Sequence, residues 1–160
     1  MNALNIYFDQ MRSPGILSAK LWIREGSRAD PNNRKGIHQL LGSLLTRGCG
    51  PYSHTELADI VEGYGATLHS ETYEDGLLIT LKCIADDAAI LLPIIGWMIK
   101  DPHLDESQIK LEKELAIQAL QRQKENPFYL AFDGWRHLSY LNHSYAHDPL
   151  GSIEDIKAID

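Results

Sequence analysis

Seven histidines and two cysteines are the side chains in this 160-residue chain best suited to metal or nucleophilic chemistry. His143 and His147 stand four apart, a spacing that serves a metal when both lie on one helical face. The neighbouring Asp148-Pro149 and the fading apolar pattern predict a loop there, where that spacing carries little meaning. Cys49 sits between Gly48 and Gly50 with no adjacent base, so it lacks the activation a thiol nucleophile needs. Ser27, Ser43 and Ser53 also lack a triad context, and Gly48-Cys49-Gly50 is too short for a phosphate loop. Trp22, Trp97 and Trp135 each fall on an apolar stripe, which predicts core packing.

Composition narrows the remaining functions. The length suits one domain, and 44% hydrophobic with 23% charged residues is an ordinary globular balance rather than a disordered one. Fifteen Lys and Arg against 22 Asp and Glu leave a formal charge of −7. Nucleic acid needs a cationic stripe that displaces counterions, and the Arg24 to Lys35 cluster is broken by Glu25 and Asp30. The longest apolar run, Ala88 to Ile99, contains Pro93 and Gly96 and is shorter than the ~20 residues a membrane span requires. Met1 to Ile6 has neither a cationic start nor a long apolar stretch, and there is no C-x-x-C pair or disulfide framework. A reducing, cytoplasmic setting is the expectation.

The elements that must position any site follow from periodicity. Ser18 to Glu25 reads as a strand after a Pro14-Gly15 turn, and Gly26 to Arg34 reads as a polar loop. Ile37, Leu40, Leu41, Leu44 and Leu45 give one apolar stripe on a helix ending at Gly48. Ser53-His-Thr-Glu56 is a capping box that opens a helix carrying Leu57, Ile60, Val61 and Tyr64, with Gly65 as its C-cap. Ala66 to Tyr73 and Leu77 to Ile84 read as strands joined at Asp75-Gly76. Three helices follow: one capped by Asp86-Asp87 and kinked at Pro93, one from Asp105 to Lys124, and one from Asn126-Pro127 to Asn142. A mixed sheet with helices on one face, an α+β layer, is the simplest arrangement.

In that order, G-S-R at Gly26 to Arg28, G-I-H-Q-L-L-G-S-L-L-T-R-G from Gly36, and Gly63-Tyr-Gly-Ala66 with its hairpin resemble one family. So do Ile109-Lys-Leu-Glu112-Lys113 and Gly151-Ser-Ile-Glu-Asp-Ile156. It is the pitrilysin or insulinase-type zinc metallopeptidases, which include the mitochondrial processing peptidases. The resemblance implies the N-terminal half-domain of that family, a mainly antiparallel sheet with helices packed on one face. It also implies an inverted zinc motif, H-x-x-E-H, in which two histidines hold zinc and the glutamate acts as base. Here the motif reads His38-Gln39-Leu40-Leu41-Gly42, with Ala119 at the later ligand position. The base position is thus Leu41, and the ligand positions are His38, Gly42 and Ala119. Glu112 matches a carboxylate common in the family, and a register shift would promote Glu112 or Glu114 to ligand.

A lone imidazole does not hold zinc usefully, so no catalytic residue, metal or other cofactor is expected. The resemblance further implies strand addition of an extended peptide at Leu68, His69, Ser70, Glu71 and Thr72. The expected role is a non-catalytic homologue or partner subunit, forming a heterodimer with a zinc-bearing homologue or self-associating. One alternative is an active zinc metalloendopeptidase with an atypical site built from His38, His69 and Glu112. A second is a purely structural interaction module. Residues 1–160 are expected to be one truncated N-terminal domain, because family half-domains are longer.

Overall fold

A computed structural model of the chain describes residues 4–10 and 15–159. In chain order the elements are β1 (Ile16–Ile23), α1 (Ile37–Leu44), β2 (Gly48–Cys49), β3 (Tyr52–Ser53) and α2 (His54–Gly63). They continue with β4 (Thr67–Thr72), β5 (Leu77–Ile84), α3 (Ala88–Lys100), α4 (Glu106–Lys124), α5 (Pro127–Tyr140) and α6 (Ile153–Ala158). The main sheet has the order β1-β5-β4 with every pairing antiparallel, so the mixed sheet gives way to the antiparallel one. No helix among the described residues is long and apolar enough to cross a membrane.

Alternation along the strands creates the core. Leu77, Ile79, Leu81 and Cys83 of β5 are buried on one face, with Leu17, Ala19, Leu21 and Ile23 of β1 packed beside them. Leu91, Ile94, Ile95 and Met98 of α3 and Leu57 of α2 cover that face. Each such side chain contributes ~1.5–3 kcal/mol on full burial. A second cluster joins Leu40 and Leu44 of α1 to Leu120 of α4, Ile156 of α6 and Ile159. Pro93 does not end α3, which runs on to Lys100.

Local signals were accurate where their partners are local. Ser53 and Glu56 make the reciprocal capping box, with Glu56 N–H 3.4 Å from the serine oxygen. Gly65, at φ +57°, ends α2: its N–H bonds the Glu62 carbonyl, and the Ala66 N–H bonds that of Val61. Asn126 caps α5 through Phe128 N–H at 3.0 Å. Asp87 and Asp105 make no side-chain cap, and a 3-10 turn over Ala85–Asp87 leads into α3 instead.

Other expectations move. β1 begins and ends two residues early, because its ladder with β5 stops at Ile23↔Leu77, just before the hairpin turn. Pro14 of the expected turn lies outside the described residues, while Gly15 has φ +80°. Leu41 leaves the apolar stripe and is 36% exposed; Trp22 and Trp135 are 45% and 53% exposed. α6 is additional to the helices that periodicity predicts, and Ser152 caps it by accepting the Asp155 N–H at 3.1 Å.

The G-S-R segment has a packing reason. The N–H groups of Ser27 and Arg28 donate to the carbonyls of Tyr73 and Glu74 at 3.1 and 3.0 Å, which ties the loop after β1 to the hairpin tip. A Cβ on Gly26 would lie 2.1 Å from the Tyr73 carbonyl oxygen and 2.5 Å from the Gly76 nitrogen. Gly26→Ala is therefore expected to cost about 3 kcal/mol, read as a lowered midpoint in denaturant, because both obstacles are backbone. An unchanged midpoint would contradict this packing.

Candidate functional site

The start of α1 is set by a buried carboxylate. Asp30 accepts the N–H of Gly36 at 2.6 Å and that of His38 at 3.3 Å, satisfying donors that a helix start leaves open. Its second oxygen also takes the His38 ring, Nδ1 to Oδ1 at 2.5 Å. The Lys35 ammonium donates to the Asp30 carbonyl at 2.9 Å. Gly36 stands at φ +91°, and a Cβ there would lie 2.3 Å from the Leu150 carbonyl oxygen. His38 is thus engaged as part of the helix cap.

The expected metal positions do not converge. The His38 ring is turned to Asp30 while its carbonyl accepts the Thr72 hydroxyl at 3.0 Å, and Gly42 faces β4, where a Cβ would sit 2.4 Å from that hydroxyl. The cleft between α1 and α4, about 180 Å³, is lined by Gln39 and Ser43 from α1 and by Glu112 and Ala119 from α4. Of the ligand positions, only Ala119 reaches it. Glu112 is buried and paired with Arg47, whose Nε donates at 2.7 Å and whose Nη2 makes a second contact. Arg47 also reaches His54 Nε2 at 3.2 Å. Glu114 is exposed. His69 alternates onto the sheet face opposite Ser70 and lies 3.9 Å from Glu71, so His38, His69 and Glu112 stay apart.

The zinc that the resemblance implies does not fit these residues. A catalytic zinc takes three protein ligands from imidazole, thiolate or carboxylate. The cleft offers an amide, a hydroxyl, a methyl group and a carboxylate already bound to a guanidinium. Among the described residues, no three His, Cys, Asp or Glu side chains are grouped to hold a metal ion. Asp30, Arg47, Gln39 and Ser43 were missed by sequence reasoning. The i, i+4 pair Gln39 and Ser43 was the one legible signal, and it pointed to no chemistry by residue type.

Strand β4 is an edge: it pairs with β5 alone, so its other side is open within the sheet of described residues. Leu68, Ser70 and Thr72 turn toward the core face, His69 and Glu71 away from it.

The other candidate nucleophiles and ligands serve structure. His143 accepts the Tyr145 N–H at 3.2 Å before a 3-10 turn over Ser144–Ala146, so it shares no helix face with His147. His147 is held below its ordinary pKa by burial and then by Lys35 and His137. Burial, with Asp101 nearby, pushes the Cys49 thiol up to about 11. Trp97 packs on Gly50 and edge-on to Tyr52, 5.5 Å between ring centres.

Comparison with known proteins identifies the family and the fold. The family model described as Insulinase (Peptidase family M16) matches residues 13–147. The mitochondrial-processing peptidase β subunit of Bos taurus is 26% identical over 140 residues, covering 88% of this chain and 29% of that protein. The uncharacterised zinc protease YmxG of Bacillus subtilis is 21% identical over 159 residues, 99% of this chain and 39% of its own. Among solved structures, a protease from Helicobacter pylori shares the fold with a TM-score of 0.84 at 19% identity, covering 91% of this chain and 36% of that one. A peptidase M16 inactive domain from Pseudomonas fluorescens gives 0.82 at 23% identity, covering 92% and 38%. The chain spans less than half the length of each.

Two outcomes test the site. Glu112→Ala leaves the Arg47 guanidinium without its buried partner and is expected to cost about 3 kcal/mol in denaturant unfolding. Cys49, with its thiol raised to about 11, is expected to resist thiol reagents at neutral pH in the folded chain and to react on unfolding. Rapid labelling of Cys49 in the folded chain would contradict its burial.

Proposed function

The chain belongs to the insulinase family of peptidases, family M16, and on that premise we propose that it is a member without peptidase activity of its own. One observation carries this reading: the α1–α4 cleft presents Gln39, Ser43, Ala119 and a Glu112 locked to Arg47, none of which supplies a zinc ligand set. In this reading the positions equivalent to the family's ligands are Gln39, Ser43 and Ala119, one residue further along α1 than His38 and Gly42. The cleft then holds packing where active members hold metal and base. Hydrolysis of a peptide needs a water activated by metal or base.

The retained scaffold still suits a partner subunit. The open edge of β4, from Leu68 to Thr72, supports strand addition of an extended peptide, with backbone hydrogen bonds giving affinity and alternate side chains the selectivity. A zinc-bearing homologue is the partner proposed, as a heterodimer in which this chain contributes peptide contacts; self-association is the competing assembly. With its acidic balance, nucleic acid is not a proposed ligand. A purely structural module and an active peptidase with an atypical site remain as test outcomes.

Three measurements decide among these. Metal analysis of the purified chain, with cleavage of an unfolded peptide with and without chelator, is expected to show neither zinc nor chelator-sensitive activity. One zinc per chain with such cleavage would overturn the proposal. Mixing with a zinc-bearing homologue from the same source is expected to alter cleavage, and hydrogen exchange across Thr67 to Thr72 to slow with extended peptide. If neither changes, the structural module is left.

The register has its own test. The triple variant Gln39→His, Ser43→His, Ala119→Glu is expected to take up one zinc per chain. The variant Leu41→Glu, Gly42→His, Ala119→Glu, which follows the His38 register, is expected to bind none and to lose stability, since a side chain at 42 meets Thr72 and His38 is held by Asp30. The reverse outcome would favour the register that places the ligands at His38 and Gly42.

A further inference from the structure

Between α5 and the tip of the β4–β5 hairpin lies a second cavity of about 360 Å³. One wall is a continuous row of rings: Phe132 to Trp135 at 5.4 Å, Trp135 to Tyr140 at 6.2 Å and Tyr140 to Tyr145 at 5.6 Å between centroids. The last two contacts are edge-on, at 81° and 76°, so the row curves and presents ring faces in several directions. Phe132, Trp135 and Tyr140 remain 42%, 53% and 40% exposed. The same cavity is lined by Glu74 and Asp75. The Tyr145 hydroxyl donates to Asp75 at 2.6 Å, which fixes that ring beside the carboxylates.

An aromatic face carries partial negative charge, so rings beside carboxylates favour a cation over an anion or a neutral group. The wall already shows this preference, because the Arg136 guanidinium sits over the Phe132 ring at 5.8 Å. Arg136 does not neutralise the cavity: it is paired with Asp133 at 2.7 Å and lies 3.5 Å from Asp148. Arg28 pairs with Asp75 at 3.2 Å, but in a half-exposed, water-screened contact. The cavity lining itself carries two carboxylates, Glu74 and Asp75, against the single guanidinium of Arg136.

We propose that this cavity is a binding site for an organic cation, an ammonium or guanidinium head held on the faces of Trp135, Tyr140 and Tyr145 and balanced by Glu74 and Asp75. Both a free amine and the basic side chain of a peptide carry that chemistry. The site is independent of the α1–α4 cleft and of the reading given to it.

Titration of the full chain with choline, with the uncharged tert-butyl analogue of choline, and with the Nα-acetyl amides of lysine and arginine tests the proposal. The readout is the backbone amide NMR shifts of Glu74, Asp75 and Tyr145. The cations are expected to give saturable shifts there, with the uncharged analogue about tenfold weaker. Trp135→Ala, at an exposed position, is expected to abolish the shifts with the fold intact by circular dichroism, and Glu74→Gln to weaken them severalfold. Tighter binding of the amino-acid amides than of choline marks a peptide side chain as the source; the converse marks a free amine. Equal binding of the uncharged analogue, binding retained in Trp135→Ala, or no saturable shift with any cation would overturn the site.

Discussion

The carboxylate of Asp30 is 1% exposed, and at the head of α1 it receives two backbone N–H groups and an imidazole. A buried carboxylate without donors is severely penalised, whereas each hydrogen bond to a charged group contributes ~1.5–3 kcal/mol. The three contacts therefore fix both where α1 starts and how it is turned. With that rotation set, Leu40 and Leu44 enter the second cluster, Gly42 meets Thr72, and Gln39 with Ser43 faces α4. A histidine that residue type alone marks as a metal ligand becomes a structural donor. The cleft's character follows from the angle of one short helix.

Arg47 completes the arrangement from the other side. It follows α1, reaches Glu112 on α4 and His54 on α2, and so ties three helices through one guanidinium. Its planar fork suits that task better than a lysine would, since it engages more than one acceptor from a single position. The family scaffold is kept, and the α1–α4 cleft is lined by Gln39, Ser43, Ala119 and the Glu112 that Arg47 holds.

Legibility in the sequence tracked the range of the forces involved. The capping box of α2, its glycine-terminated end, the Asp75-Gly76 hairpin and the Asn126 cap each depend on partners a few residues away, and each was readable. Burial was less so. Periodicity marks an apolar stripe but not what lies over it, which is why Leu41, Trp22 and Trp135 emerged at the surface. α6 is too short for a helical period to show. The site was hardest, because one residue along a helix turns the side chain by about 100°, and only the cap at Asp30 says which face meets α4.

The sheet also carries a history in its strand order. β4 and β5 are joined by a tight turn, so their pairing closes early and at little entropic cost. β1 lies on the other side of β5, and reaching it means enclosing both α1 and α2 in the connecting loop. Non-local pairings of this kind set the pace of folding. Until β1 docks, one flank of β5 is unpaired and the row Leu77, Ile79, Leu81 lacks the cover of Leu17, Ala19, Leu21 and Ile23. The Ser27 and Arg28 bonds to the hairpin tip then act as a latch that holds the first strand beside the hairpin it joined.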